Sequence, residues 1–365
     1  VLTVAGEVVG TGFTGTLDGI LGSGAPASAS VTTLTVNGDI TTTTSGTSNF
    51  VAGVNAGNSI ESGGNYNVVI GDEAGTAITT GDSNVAIGYA ALDANTTADN
   101  NTAIGYAALG ANTTGASNVS IGRNAMLLNT TGDQNVALGA SALSANTEGD
   151  QNVAIGINAM IANTTGDYNV AVGALSLDAN TTADNNTALG YGTLTLNTTG
   201  ASNVAIGKSA MLLNTTGANN TALGTSALTA NTTAANNVAV GHAALSANTT
   251  GASNTAIGTS ALAANTTADN NTAVGYAALD ANTTGAGSVA VGRDSLGANT
   301  EGNNNIAVGA LSLDANTTGD NNIGIGHQAL GANTTADNNT AVGYSALLAN
   351  TTGADNTAVG VNALS

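Results

Sequence analysis

The chain has 365 residues, of which 50 are Gly, 2% are aromatic and 7% are charged, and it contains one Pro, no Trp and no Cys. So few aromatic side chains exclude a bulky globular core, while a hydrophobic share of 42% argues against a disordered chain. The formal net charge of −20, with only three Lys and Arg, excludes nucleic-acid binding through phosphate contacts, and no run of about 20 apolar residues predicts insertion into a membrane.

The N-terminal part differs from the rest of the chain. Residues 1–46 are rich in Gly, Thr and Ser and contain short β-prone runs, so they predict a β-rich attachment or linker segment. Pro26 indicates a bend, and Asn37-Gly38 is a hairpin signal. Residues 47–66 predict a transition or a cap, in which Phe50 is suited to closing the end of a rod.

From residue 67 to 365 a 17-residue unit recurs without an insertion or a deletion. Each unit opens with Asn, except where Ser288 replaces it, and carries a Gly four residues later that follows an Ile, Val or Leu. Such a fixed period is the signature of a repeat architecture. The repeat glycines occupy 18 positions: Gly71, Gly88, Gly105, Gly122, Gly139, Gly156 and every seventeenth residue onward to Gly360.

One unit can be interpreted in physical terms. The alternation around Val85 and Ile87 predicts a strand with both side chains facing inward, and Leu92 with Ala94 predicts a second short strand facing the same interior. Asn95-Thr96-Thr97 predicts a turn. Because 17 residues cannot bury their own apolar face, the units are expected to stack into an all-β, parallel β-solenoid or β-roll of about 18 rungs, roughly 85 Å long.

The alternative secondary structure is helical. The A-x-x-A-L-x-A segments look locally helical, but each is only about seven residues long. Isolated helices of that length are marginal, so the α-solenoid is the less favoured interpretation.

The position between the two β-branched residues is almost uniform. Of its 18 positions 15 are Ala, and the exceptions are Val69, Ser120 and Gly324. If Val85 and Ile87 face inward, Ala86 faces outward, and a uniformly small outer column predicts close packing against another copy of the chain. The alternative is a recent duplication that has not diverged.

The motif Asn84-Val85-Ala86-Ile87-Gly88 resembles the head repeats of trimeric autotransporter adhesins, and it is similar to repeats in bacteriophage tail fibres. The resemblance covers residues 67–365. It implies left-handed parallel β-rolls, three chains side by side or intertwined as a homotrimer, and a role at a cell surface. The 17-residue unit is longer than the usual adhesin repeat, and neither a coiled-coil stalk nor a membrane barrel is visible, which favours a viral fibre.

The column that follows the repeat glycine is the candidate surface-contact column. It holds all three cationic residues, both His and five of the seven Tyr. One interpretation is a binding stripe, for example for host-surface glycans that stack on Tyr; the other is a turn position that accepts any side chain. Its candidate residues are Tyr89, Tyr106, Arg123, Tyr191, Lys208, His242, Tyr276, Arg293, His327 and Tyr344.

The sequence predicts no metal site, no cofactor and no catalytic residue. His242 and His327 are five rungs apart, about 24 Å at strand spacing, so one chain cannot chelate a metal with both, although three copies of one His around an axis could. A column of Asp that includes Asp82 and Asp99 suits Ca²⁺ or simple solvation of the turn. Because no nucleophile–base pair can be assembled, we expect no enzymatic activity.

These features together favour a structural protein. We expect the rigid shaft of a viral tail fibre, located in the virion, which presents a distal tip for attachment to a host cell. The N-terminal segment would then contact other tail or baseplate proteins. The alternative is a bacterial or archaeal cell-surface adhesin or extracellular filament that binds ligands along the rod, and a remote alternative is an ice-binding solenoid.

Overall fold

The computed structural model describes residues 44–365 and contains 19 strands of three residues each. Most of the predicted N-terminal attachment segment, with Pro26 and Asn37-Gly38, lies outside the described residues. The strands are β1 Phe50–Ala52, β2 Val68–Ile70, β3 Val85–Ile87, β4 Thr102–Ile104, β5 Val119–Ile121, β6 Val136–Leu138, β7 Val153–Ile155, β8 Val170–Val172, β9 Thr187–Leu189, β10 Val204–Ile206, β11 Thr221–Leu223, β12 Val238–Val240, β13 Thr255–Ile257, β14 Thr272–Val274, β15 Val289–Val291, β16 Ile306–Val308, β17 Ile323–Ile325, β18 Thr340–Val342 and β19 Thr357–Val359.

Each strand pairs in parallel with the next one along the chain, so that the strands form a single 19-stranded sheet. From β2 to β19 the paired residues are 17 apart, for example Val85 with Thr102. Between β1 and β2 the offset is 18, as in Phe50 with Val68. The predicted all-β parallel solenoid with 17-residue rungs is confirmed.

The orientation of the strand is the reverse of the one predicted. Ala86 and its equivalents are buried, whereas Val85 and Ile87 are only half-buried. The prediction that Val85 and Ile87 face inward is therefore wrong, and so is the inference that a second chain packs against the Ala column. The uniform Ala is explained by the interior, where two Asn columns and one Leu or Met per rung leave room for little more than a methyl group on the strand.

The Leu column reaches the core through a left-handed backbone. Leu92 has φ of 56°, and both it and the preceding Ala91 are fully buried. A left-handed residue breaks the alternation of a strand, which is how two consecutive side chains both point inward. The predicted second strand is consequently wrong: residues 89–94 form turns and Ala94 is only half-buried. The turns still bond to the next rung, since the Leu92 N–H donates to the Ala108 carbonyl at 3.0 Å.

Two columns of buried Asn replace much of the apolar core. In the first, the Asn84 side-chain carbonyl accepts the Asn101 N–H at 2.9 Å, and its amide donates to the Ala98 carbonyl at 2.9 Å. In the second, the Asn112 amide donates to the Asn95 side-chain carbonyl at 3.0 Å. Both columns run from rung to rung, so the buried Asn side chains are paired along the solenoid.

The repeat glycines stand at the end of each strand, where neighbouring rungs approach closely. Gly156 has φ of +138°, and a Cβ on it would lie 2.6 Å from the Gly173 carbonyl carbon and oxygen. A side chain at this position is therefore excluded both by the backbone conformation and by the next rung. This explains why all 18 positions of the column are Gly.

In the rung of β2, the core is filled by different residues. Gly75 takes the left-handed position that Leu92 occupies one rung later, and the Ile78 side chain fills the vacated space, with its Cδ1 atom 2.8 Å from where a Gly75 Cβ would lie. Val69 replaces Ala in the strand column of this rung. The segment 47–66, predicted as a transition or cap, contains β1, in which Phe50 is half-buried.

Candidate functional site

The solenoid presents an apolar face built from the outer side chains of the strands. We define the strand face as the first and third residues of β2–β19: the first is Val, Thr or Ile and the third is Ile, Val or Leu in every rung. These side chains are half-buried or exposed, with Leu138, Leu189 and Leu223 about equally exposed at 44%, 44% and 45%. Large contiguous apolar patches are often sites of interaction with another molecule.

The candidate surface-contact column lies beside this face, directly after the repeat glycine. All ten of its predicted residues are exposed. Parallel pairing brings neighbouring members together: the rings of Tyr89 and Tyr106 are stacked with centroids 5.4 Å apart, and those of His327 and Tyr344 with centroids 5.3 Å apart. His242 instead has Thr225 and Thr259 as its neighbours in the column.

The three cations of this column differ in their partners. Arg293 forms an ion pair with the adjacent Asp294 at 2.6 Å. Arg123 and Lys208 form no ion pair within residues 44–365, and the residues that follow them, Asn124 and Ser209, are uncharged. Their positive charges therefore face solvent on a strongly acidic chain.

The Asp column of the turns has a defined structural role. The Asp133 carboxylate accepts the Ala116 N–H at 2.6 Å, and the Asp150 carboxylate accepts the Asp133 N–H at 2.7 Å. Each carboxylate thus satisfies a backbone donor of the preceding rung. Within residues 44–365 no three His, Cys, Asp or Glu side chains are close enough together to hold a metal ion.

A second set of Asp residues was missed in the sequence. Burial raises the pKa of Asp93, Asp178, Asp280 and Asp314, which share one position of the rung. The sequence carries a signal for three of them, because the residue 17 positions later is Gly. A Cβ on Gly110 would lie 3.4 Å from the Asp93 carboxylate, which is an ordinary contact distance, so the Gly lies directly beside the acid of the preceding rung.

In the Thr pairs of the turns, the hydroxyl of the first Thr bonds to the next rung. The Thr113 hydroxyl donates to the Thr130 carbonyl at 3.0 Å, and the same bond recurs along the column. Only the second Thr of each pair, such as Thr114, is consistently at the surface. The first Thr of each pair therefore contributes to the bonding between rungs, while the second is exposed to solvent.

In the part of the chain that is described, no helix is long and apolar enough to cross a bilayer. Comparison of the sequence with family models and with curated proteins, and of the structure with solved structures, gave no significant match.

Proposed function

We propose that the protein is the shaft of a homotrimeric fibre, and that three copies meet through the strand face. The observation that carries this proposal is the strand face from β2 to β19, whose third position is Ile, Val or Leu in every rung and which contains no charged residue. Identical copies placed side by side in register would therefore bring together only Val, Ile, Leu and Thr. The acidic residues that give the chain its net charge of −20 lie outside this face.

The strand face is narrow but extends along all the rungs from β2 to β19. With about 3.3 Å per residue along a strand and about 4.8 Å between rungs, it is a strip about 7 Å wide and roughly 85 Å long. That is on the order of 600 Å² per chain; a trimer divides it between two neighbours, so each pair of chains shares less than the roughly 800 Å² per partner of a standard interface. Burial of apolar surface is the main driving force for such association.

The architecture suits a shaft better than a catalyst. Every rung bonds to the next through backbone groups, buried Asn and stacked glycines, so the described part of the chain is one continuous solenoid. A rigid β-solenoid is consistent with a structural fibre or an adhesin. Resemblance to phage-fibre repeats supports the more specific proposal of a tail fibre in a virion, held by its N-terminal segment to other tail proteins.

The assembly is tested by light scattering of the purified chain. We expect a mass three times the 34.7 kDa of one chain. The double variant Val204→Lys, Ile257→Lys places charges on the strand face and should give monomers with unchanged circular dichroism. The matched control Thr131→Lys, Thr216→Lys adds the same charge on exposed turns and should remain trimeric. A monomeric wild type would overturn the proposal, and a dimer would exclude the three-fold arrangement.

A cell-surface adhesin is the second candidate, and one observation favours it. The surface-contact column carries exposed aromatic and cationic side chains on a rod that otherwise exposes few of either. A shaft that only holds a tip at a distance does not need them. Binding of cells by the purified rod, lost when Tyr89, Tyr106, Tyr191 and Tyr276 are replaced by Ala, would support this candidate.

A further inference from the structure

The cations of the chain are placed according to a rule. The chain has 23 Asp and Glu but only three Lys and Arg, and each of these three cations lies one rung after a Tyr in the surface-contact column. Adjacent rungs are about 4.8 Å apart, so each Tyr and its cation are within reach of one small ligand. The pairs are Tyr106 with Arg123, Tyr191 with Lys208, and Tyr276 with Arg293.

In two of the three pairs, the cation forms no ion pair with a carboxylate in the described residues. Arg123 and Lys208 form no ion pair in the described part of the chain, whereas Arg293 is neutralised by Asp294 at 2.6 Å. Tyr106 and Tyr191 are equally exposed, each at 56%. Stacking on Tyr89, with ring centroids 5.4 Å apart and an angle of 17° between the rings, restricts the Tyr106 ring.

We propose that Tyr106–Arg123 and Tyr191–Lys208 are two sites that each bind a carboxylate-bearing sugar residue of a surface glycan. The carboxylate pairs with the guanidinium or ammonium group, the C–H groups of the sugar pack on the tyrosine ring, and the phenol hydroxyl bonds to a sugar hydroxyl. A carboxylated sugar residue is small enough to contact an aromatic ring and a cation that stand one rung apart.

The surrounding charge selects against other anionic ligands. The two free cations are 85 residues, or five rungs, apart, which is about 24 Å. A densely charged polymer such as nucleic acid or a sulfated glycan would lie along an acidic rod between these points and would be repelled by it. A glycan that carries only isolated carboxylated sugars among neutral ones is repelled less, because it bears fewer negative charges.

The sites do not depend on the proposed trimer, but a trimer would strengthen them. Each site consists of two side chains of one chain, so its affinity alone is expected to be weak. Three parallel chains would offer several sites along one fibre, and simultaneous contacts would raise the overall affinity without any new interaction.

The test measures binding of sialyllactose and of a glucuronic-acid disaccharide by saturation-transfer NMR, with lactose as the neutral comparison. We expect at least one acidic sugar to bind and lactose not to bind. The double variants Arg123→Gln, Lys208→Gln and Tyr106→Ala, Tyr191→Ala should each lower the affinity at least about tenfold, the loss expected for a charge-assisted hydrogen bond. The control Thr131→Gln, Thr216→Gln, on exposed turns outside the surface-contact column, should leave binding unchanged.

The proposal is overturned if neither acidic sugar binds, if lactose binds as well as they do, or if the double variants bind like the wild type. Circular dichroism of each variant separates a lost site from a lost fold, since all these side chains are exposed. Light scattering of the same samples separates the two proposals. A trimer that binds no sugar overturns only the glycan sites, and a sugar-binding monomer overturns only the assembly.

Discussion

The side-chain carbonyl of Asn84 accepts the backbone N–H of Asn101, its equivalent one rung later, at 2.9 Å. The same bond recurs along the first Asn column, and each such Asn also donates its amide to a carbonyl 14 residues later, as Asn84 does to Ala98. One side chain thus connects two neighbouring rungs and closes the turn between them. This explains why Asn opens 17 of the 18 units, since Asp lacks the donor and Gln is longer by one methylene.

The contribution of the first Asn column to stability can be tested by substitution of Asn135. Its carbonyl accepts the buried Asn152 N–H at 2.9 Å, so Asn135→Ala should cost about 1–3 kcal/mol by leaving that donor unpaired. Asn135→Ser should cost less, because Ser288 naturally accepts the Asn305 N–H through its hydroxyl at 3.1 Å. Guanidinium unfolding gives the stability, and hydrogen exchange of the Asn152 amide gives the local effect. Equal losses in both variants would contradict the role of the acceptor.

The close approach between the backbones of neighbouring rungs can be tested by substitution of Gly156. Gly156→Ala combines φ of +138° with a Cβ 2.6 Å from backbone atoms of Gly173, so we expect a loss of more than about 2 kcal/mol. The matched control is Gly110→Ala, whose Cβ would lie no nearer than 3.4 Å to the neighbouring atoms it meets. Thermal unfolding of both variants checks this, and a Gly156→Ala protein as stable as the control would show that the rungs can separate at this point.

The inward orientation of the Ala column can be tested by substitution of Ala205. It is fully buried, so Ala205→Val should overpack the interior and cost about 1–3 kcal/mol. Ala179→Leu enlarges a half-buried position, at which Leu128 and Leu213 occur naturally in other rungs, and should be tolerated. Denaturant unfolding distinguishes them. If Ala205→Val were neutral, the Ala column would have to face outward.

The effect of burying a carboxylate can be tested at Asp178. Burial raises its pKa above the ordinary value of 3.8, and one of its carboxylate oxygens is buried without a partner within residues 44–365. Between 3.8 and the raised pKa, the folded chain binds more protons than the unfolded chain, so this group's contribution to stability falls as the pH rises.

The variant Asp178→Asn removes the buried charge. We expect its unfolding temperature at neutral pH to exceed that of the wild type by about 1 °C, and we expect this gain to vanish as the pH falls through the raised pKa towards 3.8, because the wild-type carboxyl is then protonated as well. Asp355→Asn, at an exposed position, is the control and should show no such gain. A gain for Asp178→Asn that persists below pH 3.8 would contradict the explanation.

The stack of rungs could be predicted because it depends only on period. Eighteen glycines at intervals of 17 predict the rungs of β2–β19 and their parallel pairing, whereas the rung of β1, which pairs at an offset of 18, lies outside this period. The side of the strand that faces the core could not be predicted in the same way. Val85 and Ile87 are more apolar than Ala86, and hydrophobicity alone places them inside.

The deciding factor was backbone conformation. Leu92 and its equivalents adopt positive φ, which is rare for Leu and has no sequence signature comparable to Gly. Only this conformation lets Ala91 and Leu92 both enter the core, which then has no room for Val or Ile. The exposed column after the glycine was found from sequence, because all its unusual residue types share one position, whereas the neutralisation of Arg293 by Asp294 required the structure.

The central claim is that the strand face lies where the chains of a trimer meet, and spin-label distances test it most directly. The chain has no Cys, so Val204→Cys carries a single nitroxide label on the strand face. Pulsed electron–electron double resonance should detect three coupled labels, with distances between labels of about 10–20 Å, because packed sheets lie about 10 Å apart. The same label at Thr216→Cys, on an exposed turn, should give longer distances. No coupling at Val204, or shorter distances at Thr216 than at Val204, would contradict the account.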